Sequence, residues 1–190
     1  MIQQFMFTET QLSDLWEITP FCMDDSRGFF MKSYEQAVFR EHGILFRPFE
    51  GFYTQSRKGT VRGLHFQRKQ CQGKLVQVLE GAVYDVAVDL RQGSETFGIW
   101  QGFHLTALNK KQLYIPPGFA HGFLAMEDTL LSYLCDKQYD IETDGGIYWN
   151  DPQLAIDWPL TEIAQPIVSE KDAALPTLEL FVRRYGALEN

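Results

Sequence analysis

The strongest pattern in the chain is a series of short apolar segments through its middle. Lys74–Glu80 alternates around Leu75, Val76 and Val78; Gly81 turns the chain; Ala82–Leu90 continues with Val83, Val86 and Val88. Arg91-Gln92-Gly93-Ser94 reads as a second turn, and Gly98–Leu105, Gln112–Ile115, Gly122–Met126 and Thr129–Lys137 follow as further strands. Pro116-Pro117-Gly118 cannot belong to a central strand, because proline has no donor for the ladder, and it predicts a rigid turn. Short strands at this spacing, broken by Gly and Pro, predict an antiparallel sandwich or barrel. Helical signals are few. Tyr34–Glu41 predicts a helix with Ala37 and Phe39 inward and a stop at His42-Gly43. After Trp158-Pro159 the pattern weakens, and Leu175–Tyr185 predicts a helix packed outside the barrel, part of a peripheral segment over 173–190. The expectation is a single domain over 1–190, mainly β, with an N-terminal stretch, Gln11–Ile18, that could add a strand to a partner's sheet.

Composition supports this and narrows the function. The chain has 190 residues, 45% hydrophobic and 22% charged, which is ordinary for a globular protein. Its 15 Phe, 8 Tyr and 4 Trp suit pleated, half-buried surfaces. The net charge of −8 repels phosphate backbones at long range and argues against nucleic acid as a partner. A nucleotide-sized anion stays open, since a few local Arg and Lys residues outweigh the global field. Cys22, Cys71 and Cys135 are odd in number and form no Cys-x-x-Cys, so neither a disulfide framework nor a structural zinc site is indicated. Met1–Gln11 lacks the charge and apolar run of a signal peptide, and no window is apolar enough to span a membrane. The expected location is the cytoplasm.

Four histidines bound the acid/base chemistry: His42, His65, His104 and His121. His42 ends the expected helix and reads as a favourable C-terminal charge; His104 also reads as structural. His65, in Gly59-Thr60-Val61-Arg62-Gly63-Leu64-His65-Phe66-Gln67, and His121, in Pro116-Pro117-Gly118-Phe119-Ala120-His121-Gly122-Phe123, sit among apolar residues beside glycines. Either one alone reads as a buried histidine bonded to a carbonyl. Two in one small β protein point to a site, because ionisable groups in apolar surroundings mark sites. The Pro-x-Gly-x-x-His element resembles the second motif of cupin barrels, which implies a cupin-type antiparallel β-barrel, or jelly roll, with a few short peripheral helices. Metal-binding cupins pair that element with His-x-His and a carboxylate. Here His65-Phe66-Gln67 offers no second His, so no metal site is expected.

Further motifs make the resemblance specific. Phe21-Cys22-Met23-Asp24-Asp25-Ser26-Arg27-Gly28-Phe29-Phe30, Lys58–Gln67, Gln72-Gly73-Lys74-Leu75-Val76 and Ile115–Phe123 resemble the dTDP-4-dehydrorhamnose 3,5-epimerase family. So do Gly146-Ile147-Tyr148-Trp149-Asn150-Asp151-Pro152, Ile156-Asp157-Trp158-Pro159 and Ser169-Glu170-Lys171-Asp172. Together they run in order from about Ile18 to Asp172. The resemblance implies an isomerase that needs no cofactor and inverts C3, C5 or both of a nucleotide-linked 4-keto-6-deoxy sugar. Hydrogens beside a ketone are weakly acidic, so the reaction needs a base, an opposing acid and a group to hold the enolate oxygen. His65 matches the family's base, Asp172 the carboxylate that orients it, Tyr133 the acid and Lys74 the oxyanion stabiliser. Arg27 and Arg62 match positions that hold the nucleotide-sugar, where a guanidinium fork suits phosphate oxygens. Arg27 is implied to reach a neighbouring subunit's site, which makes a homodimer the expected assembly. His121 and Lys171 match further substrate contacts, and Tyr139 the ring that stacks on thymine.

The chain departs from the family at four pocket positions. Lys32 and Asp144 stand where glutamates are usual, Glu50 where a glutamine is usual, and Phe52 where an asparagine is usual. Lys32 and Glu50 read as a charge exchange between neighbours, and Phe52 removes an amide's donors and acceptor. These changes spare the acid/base set but leave the nucleotide and sugar open. Other readings stay open beside the epimerase: a keto-sugar isomerase that moves the carbonyl, and a catalytically silent cupin that binds a small anion.

Overall fold

The computed structural model describes residues 4–188. The outermost residues of the two expected terminal segments, 1–3 and 189–190, lie outside the described residues.

Among the described residues thirteen strands and three short helices follow one another. β1 (Met6–Glu9), β2 (Trp16–Thr19), β5 (Glu50–Ser56), β7 (Lys74–Glu80), β10 (Gln112–Ile115) and β12 (Thr129–Cys135) form one sheet in the order β1-β2-β10-β7-β12-β5. β6 (Val61–Gln67), β8 (Ala82–Asp89), β9 (Trp100–Thr106), β11 (Phe119–Ala125) and β13 (Asp144–Gly146) form a second, ordered β13-β6-β11-β8-β9. Among the described residues β3 (Phe21–Asp25) and β4 (Gly28–Lys32) pair only with each other. Every pairing between these strands is antiparallel. The two sheets face each other as a cupin-type jelly roll.

The core lies between the sheets. Val76, Val78, Leu113, Ile115 and Leu131 from the first sheet meet Val83, Ala87, Phe103, Leu105, Phe119 and Phe123 from the second. The outer face of the second sheet is covered too. Leu64, Phe66, Val86, Val88 and Leu124 pack there against Trp149, Trp158, Leu178 and Phe181 from the C-terminal third. α1 (Gln36–Glu41) lays Phe39 with Ile44 and Phe46 over Ile18, Leu75 and Tyr114 on the outside of the first sheet. Burial on both faces explains why β7 and β8 read as near-continuous apolar runs rather than strict alternations. The turn between them requires Gly81, at φ +75°, where a Cβ would lie 2.2 Å from the Asp128 carbonyl oxygen.

The expected strands from Lys74 onward stand within a few residues of their predicted ends, and Pro116-Pro117-Gly118 is the turn between β10 and β11. Other expectations are corrected. Ala37 is exposed, because it lies two residues from Phe39 and so on the opposite side of the helix. The C-terminal helix starts later than Leu175: Pro176 precedes it, Thr177 caps it, and α3 runs Leu178–Tyr185. Within Gln11–Ile18, residues Trp16–Ile18 pair with β10 of their own chain, so β1 rather than this stretch forms the sheet edge. Among the described residues no helix is long and apolar enough to cross a membrane.

Candidate active site

His65 stands on β6, where the chain passes close to β11. Gly63 has φ +113°, and a Cβ there would lie 2.7 Å from both the Gly122 Cα and the His121 carbonyl oxygen. Only glycine fits, and its backbone N–H thereby reaches the Asp172 Oδ2 at 3.1 Å. Asp172 comes from α2 (Glu170–Ala173), a single turn whose N-cap, Ser169, accepts the Asp172 N–H at 3.0 Å. The motif Ser169-Glu170-Lys171-Asp172 is therefore a capped turn that points one carboxylate inward. That carboxylate meets His65 Nε2 at 2.8 Å, with 6% of the Asp172 side chain exposed against 32% of the His65 ring. Burial works against the Asp172 charge. The hydrogen bond from His65, its positive form, the Gly63 N–H and Ser169 outweigh that and hold the carboxyl below its ordinary value. With Nε2–H given to Asp172, Nδ1 is the ring nitrogen left with a lone pair.

His65 opens onto a cavity of about 250 Å³. Phe52, Gln67, Gln72, Lys74, Tyr133, Tyr139, Asp144 and Lys171 also line it. Tyr133, on β12, pairs across the ladder with Phe52 on β5, and their rings stack with centroids 5.3 Å apart and planes at 27°. Lys74 opens β7 directly opposite Cys135. Burial pushes its ammonium down, partly offset by Cys135, Asp144 and Asp85. At the rim Lys171 donates to the Asp144 carboxylate, the main reason its own ammonium is held up. Burial and the nearby Asp144 raise the Tyr139 phenol.

The fold thus gathers His65, Asp172, Tyr133, Lys74, Phe52, Tyr139, Asp144 and Lys171 from β5, β6, β7, β12, β13, α2 and a loop. Glu50 stands just beyond the lining, where its Oε1 accepts the Tyr139 N–H at 2.6 Å. His121 is the direct cross-strand partner of His65, but it is buried and bonded through Nε2 to both Asp85 oxygens at 3.0 and 2.9 Å. It does not line the cavity. Arg62 donates to Ser56 Oγ at 3.1 Å and to the Gln55 carbonyl at 3.2 Å, also outside the lining. Arg27 sits in the β3–β4 turn, bound to Asp25 with its side chain 88% exposed. Lys32 pairs with Glu35 at 2.8 Å, so it and Glu50 are not partners within the chain, contrary to the expected charge exchange. Sequence reasoning passed over Asp85, Gln67 and Gln72. The signal for Asp85 is a lone carboxylate inside the apolar run Val83–Val88. Among the described residues no cluster of His, Cys, Asp and Glu is arranged to hold a metal ion.

A jelly roll with an imidazole–carboxylate pair, a phenol and an ammonium on one cavity defines an acid/base cupin. Comparison with known proteins makes the class specific. The family model for dTDP-4-dehydrorhamnose 3,5-epimerase matches residues 9–179. The dTDP-4-dehydrorhamnose 3,5-epimerase of Escherichia coli K12 is 46% identical over 179 residues, covering 92% of this chain and 95% of that protein. The enzyme of the same name from Methanothermobacter thermautotrophicus is 45% identical over 170 residues, covering 89% and 92%. The crystal structure of the dTDP-6-deoxy-D-glucose-3,5-epimerase of Legionella pneumophila, in complex with dTDP-4-keto-L-rhamnose, superposes with a TM-score of 0.92 at 44% identity, covering 98% of both chains. The chain belongs to the dTDP-4-dehydrorhamnose 3,5-epimerase family.

Proposed function

We propose that this protein is an epimerase that inverts C3 and C5 of a dTDP-linked 4-keto-6-deoxy sugar, converting the 4-dehydro-6-deoxy-D-glucose form to 4-dehydro-L-rhamnose. The observation that carries the mechanism is the His65–Asp172 pair opening onto the cavity that Tyr133 lines from the opposite sheet. His65 takes the hydrogen beside the ketone, and Asp172 stabilises the imidazolium that forms. The negative charge moves to the C4 oxygen, where Lys74 stabilises it as the enolate. Tyr133 returns a proton from the other face, which inverts the carbon; His65 then loses its proton to solvent and the Tyr133 phenolate regains one, and the reset pair serves the second carbon by the same cycle. Each step moves one proton and leaves no redox change, so the set needs no electron acceptor.

The homodimer belongs to this reading. The β3–β4 hairpin lies outside both sheets and exposes Met23, Phe29 and Phe30 around Arg27. An arm that exposes apolar side chains on both faces suits contact with a second copy, with Arg27 delivered to that copy's nucleotide-sugar. A cytoplasmic setting belongs to it too, because the substrate is a nucleotide-activated sugar. A second reading, inversion at one carbon only, draws on Phe52: an apolar ring stands against Tyr133 where the family carries an amide. Purified protein incubated with dTDP-4-keto-6-deoxy-D-glucose, followed by proton NMR, separates the readings. The coupling pattern of the L-rhamno product supports double inversion, a product changed at one carbon supports the second reading, and unchanged substrate contradicts both.

A further inference from the structure

Residues 137–140 lie between β12 and β13 and carry Tyr139. They belong to no ladder, so their peptide groups must find other partners. Three side chains supply them. Glu50, the first residue of β5, accepts the Tyr139 N–H at 2.6 Å. Gln67, the last residue of β6, uses both ends of its amide. Its Oε1 accepts the Asp140 N–H at 2.7 Å, and its Nε2 donates to the Gln138 carbonyl at 3.3 Å and the Gln70 carbonyl at 3.2 Å. Gln72 Nε2 donates to the Lys137 carbonyl at 2.8 Å and to Glu50 Oε1 at 3.2 Å. Lys137 answers from the loop itself, its Nζ donating to the Cys71 carbonyl at 3.0 Å. Each of the four residues from Lys137 to Asp140 is thus held through its own backbone. The anchors are well placed to hold: Gln67 is 4% exposed, and Glu50 is half-buried. A carboxylate accepting a backbone N–H makes a charge-assisted bond, stronger than the neutral one a glutamine would give.

The only side chain of these four residues that lines the cavity is that of Tyr139. We propose that Glu50 and Gln67 are positioning residues for nucleotide recognition. They fix the backbone of 137–140 so that the Tyr139 ring waits at the cavity mouth as a platform for the base. Ordering the loop beforehand removes that cost from binding. The inference rests on the nucleotide-sugar reading above and extends it to two residues that act through the backbone of the 137–140 loop. Glu50 acts through the peptide group of Tyr139, and Gln67 through those of Gln138 and Asp140.

The test is calorimetric binding of dTDP to the full chain, comparing wild type, E50A, Q67A and E50Q, each with and without Y139A. E50A and Q67A weaken dTDP about tenfold, the size expected when a bond to a backbone group ordered for binding is lost. E50Q, which keeps an acceptor for the Tyr139 N–H, recovers most of that affinity. In the Y139A background E50A costs almost nothing further, because the platform through which it acts is gone. With the complete substrate KM rises by the same factor while kcat holds, the mark of binding shared by ground and transition states. Folded E50A with wild-type dTDP affinity overturns the inference, as does a loss of equal size in the Y139A background. E50A decides the question even where Q67A unfolds, since Glu50 begins an edge strand. A wild type that binds no dTDP contradicts the nucleotide reading itself, whereas binding by wild type with unmoved variants contradicts the positioning role alone.

Discussion

Asp172 holds both a fold contact and the proposed base, His65, and its pH dependence has a definite sign. Its carboxyl is held below its ordinary value of 3.8 by His65, Gly63 and Ser169 acting against burial. A depressed folded value means the carboxylate stabilises the fold fully above 3.8 and loses that contribution as pH falls through the folded value. Asp172→Asn should therefore melt below wild type at neutral pH, with the gap closing in acid; a gap constant with pH in thermal melts would contradict the assignment. The same variant should lower kcat by about 10²–10⁴-fold, as loss of an acid/base partner does. Phe52 carries a second prediction: F52N restores an amide and frees Tyr133 from its stack, and should raise turnover of the dTDP sugar in a direct NMR assay. Unchanged turnover would mean that Phe52 does not set substrate choice. At this scale the sequence offered His65, Asp172 and Lys74 through motifs and Tyr133 through its place on an expected strand, and the fold brings the four together. Asp85 and Gln67 were not legible in it, since their work is done through partners distant in the chain: His121 for one, the 137–140 backbone for the other.

Among the elements, β7 to β12 were readable, whereas the earlier strands and the three-residue β13 were not, for a physical reason. The inward side of β5 carries Glu50, Phe52, Thr54 and Ser56, and alternates in burial without alternating in hydrophobicity. Lining a polar site erases the period-two signal that marks a strand. In β6 the glycine and the histidine needed at the site interrupt the apolar pattern in the same way. The β3–β4 hairpin is exposed along much of its length and has no buried face to impose a pattern. The small helices matter more than their length suggests. Ser169→Ala removes the cap of α2 and should cost about 1 kcal/mol of stability, with a loss of activity larger than that destabilisation explains, because α2 aims Asp172. Gly63→Ala should cost more, about 2–4 kcal/mol, since its Cβ meets backbone atoms on β11 and not a movable side chain. Chemical denaturation of both variants checks the order; G63A as stable as S169A would contradict the close approach of β6 to β11.

For the molecule as a whole, the acidic net charge of −8 and the cationic residues of the site coexist because the cations are local. Lys74 and Lys171 line the cavity itself. Arg27 remains apart from them within one chain, on an exposed hairpin with apolar flanks. In the proposed function a second copy brings Arg27 to the substrate. Light scattering at micromolar concentration should give a mass twice that of the chain; a monomer would remove Arg27 from the substrate's surroundings. The central claim, that one imidazole starts the reaction and one phenol across the cavity ends it, is tested most directly by exchange in D2O. Wild type, His65→Ala and Tyr133→Phe are incubated with dTDP-4-keto-6-deoxy-D-glucose, and deuterium at C3 and C5 is followed by proton NMR. The account predicts label at both carbons with wild type, none above background with folded His65→Ala, and label without completed inversion with Tyr133→Phe. Wild-type rates of labelling by folded His65→Ala would contradict it.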